Sequence, residues 1–529
     1  MSLVSVNFLA FIALLFILYF IAPPKFQWII LLVFSYVFYA MLDARAFVVV
    51  LTTTVSIYGC AMLIDRRHTE QKNALKDQSK EWLAQNKKSV IATYTKKRRT
   101  LLIIALLLNF GILAYVKYLG FALENINKLI ALFAPSFAIP YRSVLLPVGI
   151  SFYTFQATGY VMDVYRGKYQ AEKNLGKFAL FVSFFPQIIQ GPISQYDQLA
   201  PQLYAPHTFE YTRFKHGMEL ILWGFFKKLL IADRASVIVK EILPNYAAYD
   251  GFGVSFAMLL FVLQVYTDFS GGIDVTRGAA QCLGIDMVEN FRRPLFADTV
   301  SEYWQRWHIT LGAWMKEYLL YSITFSKGFG RFNKLFKKKF TSSYARIIPT
   351  CLATSVVFFT VGIWHGASIN NIMFGVYNGA LIIGGIFLEI PRKKLITAHP
   401  WLGEKNPFWH ALRVMRTFLL IYIGKFFAAT PSFSTSIALL KASAAIFTKK
   451  INPLAFLGGI DLASLVIITY GCAALLIVSL LGERGVRVRE ALDRKNIVVR
   501  WAVYYLILFS VLSLSSNGSG VEEFLYAQF

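Results

Sequence analysis

The chain has 529 residues, 56% hydrophobic and only 16% charged, with a mean hydropathy of +0.52 and a formal net charge of +25. A soluble protein of this size carries roughly a quarter charged residues, so an ordinary soluble domain is excluded. Apolar runs of the ~20 residues that cross a bilayer recur throughout, which gives an all-α polytopic membrane protein. A β-barrel is disfavoured, because its segments are ~10 residues long and alternate in polarity. The excess positive charge sits between apolar runs, as expected where Lys and Arg stay on the cytoplasmic face, and so does not indicate a nucleic-acid partner. Cys60, Cys282, Cys351 and Cys472 are scattered without metal-ligand spacing and read as small packing residues.

In chain order, apolar runs come first at Ser5–Ala22, Phe26–Met41 and Ala46–Ile64. Met1–Asn7 has no Lys or Arg and no small-residue cleavage site follows, so the first run is expected to stay as a helix. Residues 65–100 carry eleven Lys/Arg against four Asp/Glu and are expected to form a cytoplasmic loop, which puts the N-terminus outside. A further span covers Leu101–Leu119. Pro and Gly then break two Gln-bearing apolar segments, Leu146–Gln156 and Phe184–Ile193. Irregular backbone at membrane depth is tolerated inside protein or beside a cavity, so both read as broken or re-entrant helices, with Gln156 and Gln187 facing an internal chamber.

Spans follow at 216–232 and 252–266. Lys327–Arg346 carries seven Lys/Arg and no acid, again a cytoplasmic signature. Between it and Arg392–Lys394 lies an apolar hairpin, Ile347–Ile390, broken at Gly366–Asn371. That geometry puts His365 near the hairpin apex, up to ~28 Å of helix from Arg346. Runs near 413–429, 433–447, 454–481 and 500–514 close the chain. Their basic flanks, including Lys449-Lys450, require at least one to be re-entrant or interfacial.

Ionisable groups within apolar surroundings are costly and mark function. His365, between Trp364 and Gly366, is a candidate general base, against the alternative of a histidine satisfied by helix–helix hydrogen bonds. His308 follows Trp304, Arg306 and Trp307, and its local sequence reads as interfacial, with tryptophans in an aromatic belt. Asp268 and Asp274 face the interior in this reading. No ligand-like spacing joins them to the histidines, so no metal site is assigned. Nucleophile-elbow, nucleotide-loop and zinc-protease motifs are not evident.

The segments Leu146–Gln156, Asp163–Gly167, Phe185–Ile193, Tyr266–Gly271, Asn290–Pro294, Trp304–His308 and Trp364–Ala367 occur in the order found in membrane-bound O-acyltransferases. The chain resembles that family, above all the bacterial branch with the alginate O-acetyltransferase membrane subunit, and more distantly the D-alanyl transfer protein of teichoic acid synthesis. The resemblance implies a ring-like helical fold around a tunnel, with residues 144–390 as the catalytic core between N-terminal helices (1–143) and C-terminal helices (391–529), all one integral membrane domain. It implies His365 as catalytic and His308 as also required. Trp364, Gly366, Asp268, Ser270, Asn290, Arg306, Trp304, Trp307, Asn371, Gln156 and Gln187 are the supporting candidates. It further implies an acyl-CoA or acyl-carrier thioester as donor, no permanent cofactor, and a bacterial plasma membrane location. The acceptor it implies is an exported polysaccharide or an extracytoplasmic hydrolase-like acyltransferase partner. Ile369 stands where relatives often have tryptophan, Asn378 where they have histidine, and Gly272-Ile273-Asp274 replaces a Tyr-Ser-Asp run. A transporter or flippase without chemistry is the competing reading, since buried polar residues also mark pathways.

Overall fold

A computed structural model describes residues 5–42, 44–135, 137–140, 147–339, 347–403, 406–445 and 461–515. Arg346, Lys449 and Lys450 lie outside them, as do Leu146 and the start of the run at 454. Among the described residues the chain is helical, without strands, and eight helices are long and apolar enough to cross a membrane. It divides into two compact units, residues 3–215 with 279–287, and residues 216–278 with 288–529.

The first unit contains α1 (Val6–Ile21), α2 (Gln27–Leu42), α3 (Ala44–Leu75) and α4 (Lys80–Ala131). The basic stretch 65–100 is therefore helical apart from a short turn, not the loop expected from its charge. Its Lys, Arg, Gln, Glu and Ala residues are good helix formers, so α3 and α4 run on past their apolar portions. α5 (Ile150–Arg166) starts at Gly149, whose φ of 73° is open to glycine and whose added Cβ would lie 2.3 Å from the Ile188 carbonyl oxygen. The Phe184–Ile193 segment is broken as expected: α6 (Leu175–Ser183) stops at Phe184, and α7 (Phe185–Gln190) is a single short helix with Pro186 in its first turn. Gln156 donates to the Phe181 carbonyl at 2.7 Å and accepts a hydrogen bond from Gln187. Both glutamines are buried, and these bonds use the amide and oxygen of Gln156 and the amide of Gln187. α8 (Tyr196–Tyr204) completes this set.

The second unit is built on glycine-mediated crossings. α9 (Tyr211–Phe226) meets α11 (Gly251–Cys282) so closely that a Cβ on Gly224 would lie 2.6 Å from the Gly271 carbonyl oxygen. Small residues allow such backbone approach in membrane helices. Beyond α9, Lys227–Ala232 winds as π-helix into α10 (Asp233–Ile242). The Lys227 ammonium donates to Ser270 at 2.9 Å and Asp274 at 2.8 Å, and Lys228 bridges Asp268 at 2.6 Å and Asp233 at 2.7 Å. α12 (Val300–Arg306), α13 (Ile309–Trp314), α14 (Tyr321–Thr324) and the basic α15 (Lys327–Lys339) lead to the expected hairpin. Its arms are α16 (Ile348–His365) and α17 (Ile369–Ala398), and its turn spans three residues, Gly366–Ser368. A Cβ on Gly362 would meet the Asn371 carbonyl oxygen at 2.6 Å, and one on Gly375 the Phe358 carbonyl oxygen at 2.3 Å. α18 (Pro407–Ala428), α19 (Phe433–Ala444), α20 (Leu462–Glu483), α21 (Val488–Asp493) and α22 (Ile497–Leu514) complete the unit.

Removing one partner of a buried ion pair strands the other charge, at a cost of about 3–5 kcal/mol. Lys228→Met, which strands Asp268 and Asp233, is therefore expected to lower thermal stability in detergent sharply. Lys327→Met, on an exposed position of α15, is expected to leave it unchanged. Differential scanning fluorimetry of the two purified variants checks this; equal melting temperatures contradict it.

Candidate active site

His308 is placed by a folded-back segment rather than by a long helix. Phe291 and Trp307 form an antiparallel bridge, with the Arg292 amide donating to the Arg306 carbonyl at 2.9 Å and the Ile309 amide to the Asn290 carbonyl at 3.0 Å. Arg293 and His308 both take left-handed backbone conformations, with φ of 46° and 47°. Such conformations cost about 1–3 kcal/mol each and persist where the surroundings hold them. Here the bridge, and the side chain of Asn290 behind it, hold His308.

The Asn290 side-chain oxygen receives the Thr310 amide at 3.0 Å and the Thr310 hydroxyl at 2.9 Å. The amide N–H can only donate, so this atom is the oxygen of the Asn290 side chain. The His308 Nδ1, 3.2 Å away, must then carry a proton to bond to it. That tautomer leaves the lone pair on Nε2, the arrangement of a base or hydrogen-bond acceptor. His308 is 2% exposed, and burial pushes its imidazole down to about 3, so the ring is neutral. The Phe269 ring stands edge-on 4.9 Å away. An apolar cavity of 390 Å³ opens beside His308, lined by Trp304, Met315, Val357, Phe358 and Val361 among others.

His365 ends α16 and is only partly buried. Gly366, at φ 151°, makes the turn, and a Cβ there would lie 2.7 Å from the Asn371 amide nitrogen. Trp364 joins the histidines: its ring lies 5.8 Å from His308 and 4.8 Å from His365, centroid to centroid. Phe374 packs edge-on against His365 at 5.6 Å. Trp304 donates to Asn378 at 3.3 Å, and Asn378 in turn donates to the Phe374 carbonyl at 2.8 Å. Asn378 thus braces this wall.

The structure brings His308, Asn290, Trp304, Trp307, Trp364, His365, Gly366 and Asn371 into one unit. Asp268 and Ser270 flank Phe269 on α11 and are engaged by Lys228 and Lys227. Arg306 pairs with Glu302 and Glu483, each at 2.7 Å. Gln156 and Gln187 belong to the other unit and bond to each other. The interfacial reading of the Trp304–His308 segment is corrected: Trp307 is 3% exposed within a core cluster, and His308 is the more buried of the two histidines. Its aromatic residues pack inward on Tyr303, Tyr266 and Phe291, instead of forming a belt. Sequence reading missed Lys227, Lys228, Phe269, Thr310 and Lys425. The three lysines were visible as charges inside apolar runs, whereas Phe269 and Thr310 carried no signal.

An all-α, multi-pass membrane protein with two imidazoles joined by an indole is the class this architecture defines. The sequence profile of the MBOAT, membrane-bound O-acyltransferase family matches residues 172–390, and that stretch is a domain of this family. The chain is 28% identical to the probable alginate O-acetylase AlgI of Pseudomonas putida, over 97% of this chain and 96% of the relative. It is 28% identical to the peptidoglycan O-acetyltransferase of Helicobacter pylori, over 56% and 57% of the two chains. With the teichoic acid D-alanyltransferase of Bacillus subtilis it shares 25% identity over 54% and 69%. These findings support a membrane O-acyltransferase.

Imidazole ¹⁵N resonances of His308 should report a neutral, Nδ1-protonated ring across about pH 5–8. An imidazolium signal at pH 6 contradicts the assignment.

Proposed function

We propose that the protein transfers an acyl group, most simply acetyl, from a cytoplasmic thioester to a hydroxyl of an exported polysaccharide or of an extracytoplasmic relay partner. The observation that carries this reading is the pair of histidines in contact with one tryptophan, one of them locked with its Nε2 lone pair available. The names of the relatives support it: they are a probable alginate O-acetylase, a peptidoglycan O-acetyltransferase and a teichoic acid D-alanyltransferase, each from a bacterium. We place the protein in the bacterial plasma membrane, with basic α15 and the 65–100 stretch inside and the N-terminus outside, as the distribution of Lys and Arg favours.

The donor is acyl-CoA or an acyl-carrier thioester, and its acyl end occupies the apolar cavity beside His308. His365, partly exposed at a helix turn, is the imidazole that a large acceptor can approach. It takes the hydroxyl proton as the oxygen attacks the thioester carbonyl, and the thiolate leaves protonated. His308 orients the thioester from its rigid seat. Burial favours a neutral base at His308, whereas it is access that selects the partly exposed His365 for the acceptor. Asn290 Nδ2, buried with no hydrogen-bond acceptor among the described residues, is a donor for the carbonyl oxygen. Of the other candidates, the Gly366 amide donates to Ile363 and the Ser270 hydroxyl accepts from Lys227.

A general base contributes about 10²–10⁴-fold. Transfer of a labelled acyl group by the purified protein, supplied with proteins encoded beside its gene, should fall by that factor in His365→Ala. His308→Gln should be impaired with a larger defect in donor engagement. Near-normal transfer by His365→Ala alongside a dead His308→Ala reverses the roles. Wild-type protein that never labels an acceptor but moves a lipid-linked sugar supports the transporter reading instead.

A further inference from the structure

Lys425 lies on α18 within a run of apolar residues, Phe418–Ile423, Phe426 and Phe427. It is 6% exposed. Its Nζ sits 4.6 Å from the centre of the Trp307 ring and 5.6 Å from that of Phe374. Trp307 directly precedes His308, and Phe374 packs on His365. The ammonium thus lies on the two rings that adjoin the two histidines.

Among the described residues no carboxylate pairs with it, and the acids nearest to it on the elements packed against α18 are already engaged. α18 packs on α12, α17 and α19. On α12, Glu302 is paired with Arg306 at 2.7 Å. Asp298, just before α12, is held by Arg413 at 3.2 Å and His410 at 2.8 Å. The charged residues of α17 begin at Glu389, eleven or more positions beyond Asn378, and α19 offers only Lys441. Lys425 makes no ion pair or side-chain hydrogen bond among the described residues; its partners there are the ring faces of Trp307 and Phe374. Ring faces compensate a cation only partly, and a buried charge without a counter-charge is retained where a ligand supplies one. The other buried lysines of this unit, Lys227 and Lys228, each have aspartate partners, so Lys425 differs in kind.

We infer that Lys425 is a catalytic residue whose ammonium binds the carbonyl oxygen of the acyl donor and stabilises the negative charge formed there. The inference rests on the acyl-transfer reading above. The acceptor O–H proton passes to the His365 imidazole while the acceptor oxygen bonds to the carbonyl carbon. The C=O pair moves to oxygen, facing the ammonium. That pair returns, the C–S bond breaks with its electrons on sulfur, and the thiolate takes the imidazolium proton. Thioester and alcohol become ester and thiol, with no oxidant or metal required.

The test compares full-length wild type, Lys425→Met and Lys425→Arg, purified in detergent and supplied with the proteins encoded beside the gene, in steady-state transfer of a labelled acetyl group from acetyl thioester to a hydroxyl acceptor. Lys425→Met should lose about 10²–10³-fold in kcat, as oxyanion donors do, with donor KM little changed. Lys425→Arg, which keeps the charge, should exceed Lys425→Met. Near-wild-type kcat in Lys425→Met, or a defect confined to donor KM, overturns the inference while leaving acyl transfer intact. Where Lys425→Met elutes aggregated, Lys425→Gln replaces it; failure of both to fold makes the residue structural and also overturns it. Wild type that transfers nothing refutes the acyl-transfer reading itself, and the inference falls with it.

Discussion

One side-chain oxygen, that of Asn290, organises the centre of the second unit. It accepts from the amide and hydroxyl of Thr310 and from the ring of His308. Those bonds determine which way the asparagine faces, which nitrogen of His308 holds the proton, and why a non-glycine residue can occupy a left-handed backbone conformation there. The bridge between Phe291 and Trp307 closes the same loop from the backbone side. With His308 fixed, the rings of Phe269 and Trp364 pack against its faces and edges, and through Trp364 the hairpin α16–α17 is brought into register with it. Buried hydrogen-bond networks of this kind either satisfy their members or destabilise the fold, which makes the position of the imidazole a property of the unit rather than of a flexible loop.

Around that centre, charge is handled in two ways. Lys227 and Lys228 are matched by Asp274, Asp268 and Asp233, and the pairs sit where α9, the π-helical turn and α11 approach through glycine. A buried pair of this type adds little net stability over an apolar substitute, yet breaking it is costly. It therefore fixes the rotation of α11, and with it the placing of Phe269 against His308. Arg293 and Arg306 share Glu483 from α20 in the same manner. Lys425 is left with aromatic faces alone, next to the residues that would handle a carbonyl group.

The helical spans were largely legible in the sequence because a bilayer imposes a length and a composition that few other structures share. The hairpin at Gly366 and the break at Phe184 were legible because glycine and proline stand out against apolar runs, and both histidines stood out there as candidates for the same reason. What could not be read was any feature that depends on contacts distant in sequence. The charge of the stretch 65–100 suggests a loop, although its residues are helix formers and the structure is helical there apart from a short turn. His308 was read as interfacial because its neighbours are aromatic and basic, and nothing local shows that Asn290 and Thr310 close over it. That Gln187 donates to Gln156 across 31 positions of sequence could not be read locally either. Lys425 was passed over in a run that scored as apolar, although a single lysine among six or more apolar neighbours was itself the signal.

The account's central claim is that acyl transfer takes place at the two histidines. A cryo-electron microscopy structure with a non-hydrolysable ketone analogue of an acyl donor, with CH2 in place of the thioester sulfur, tests it most directly. The account predicts the acyl end in the apolar cavity, its sulfur-equivalent atom near His308 and its carbonyl oxygen turned towards Lys425, with His365 open to the acceptor side. An analogue bound away from both imidazoles would contradict it.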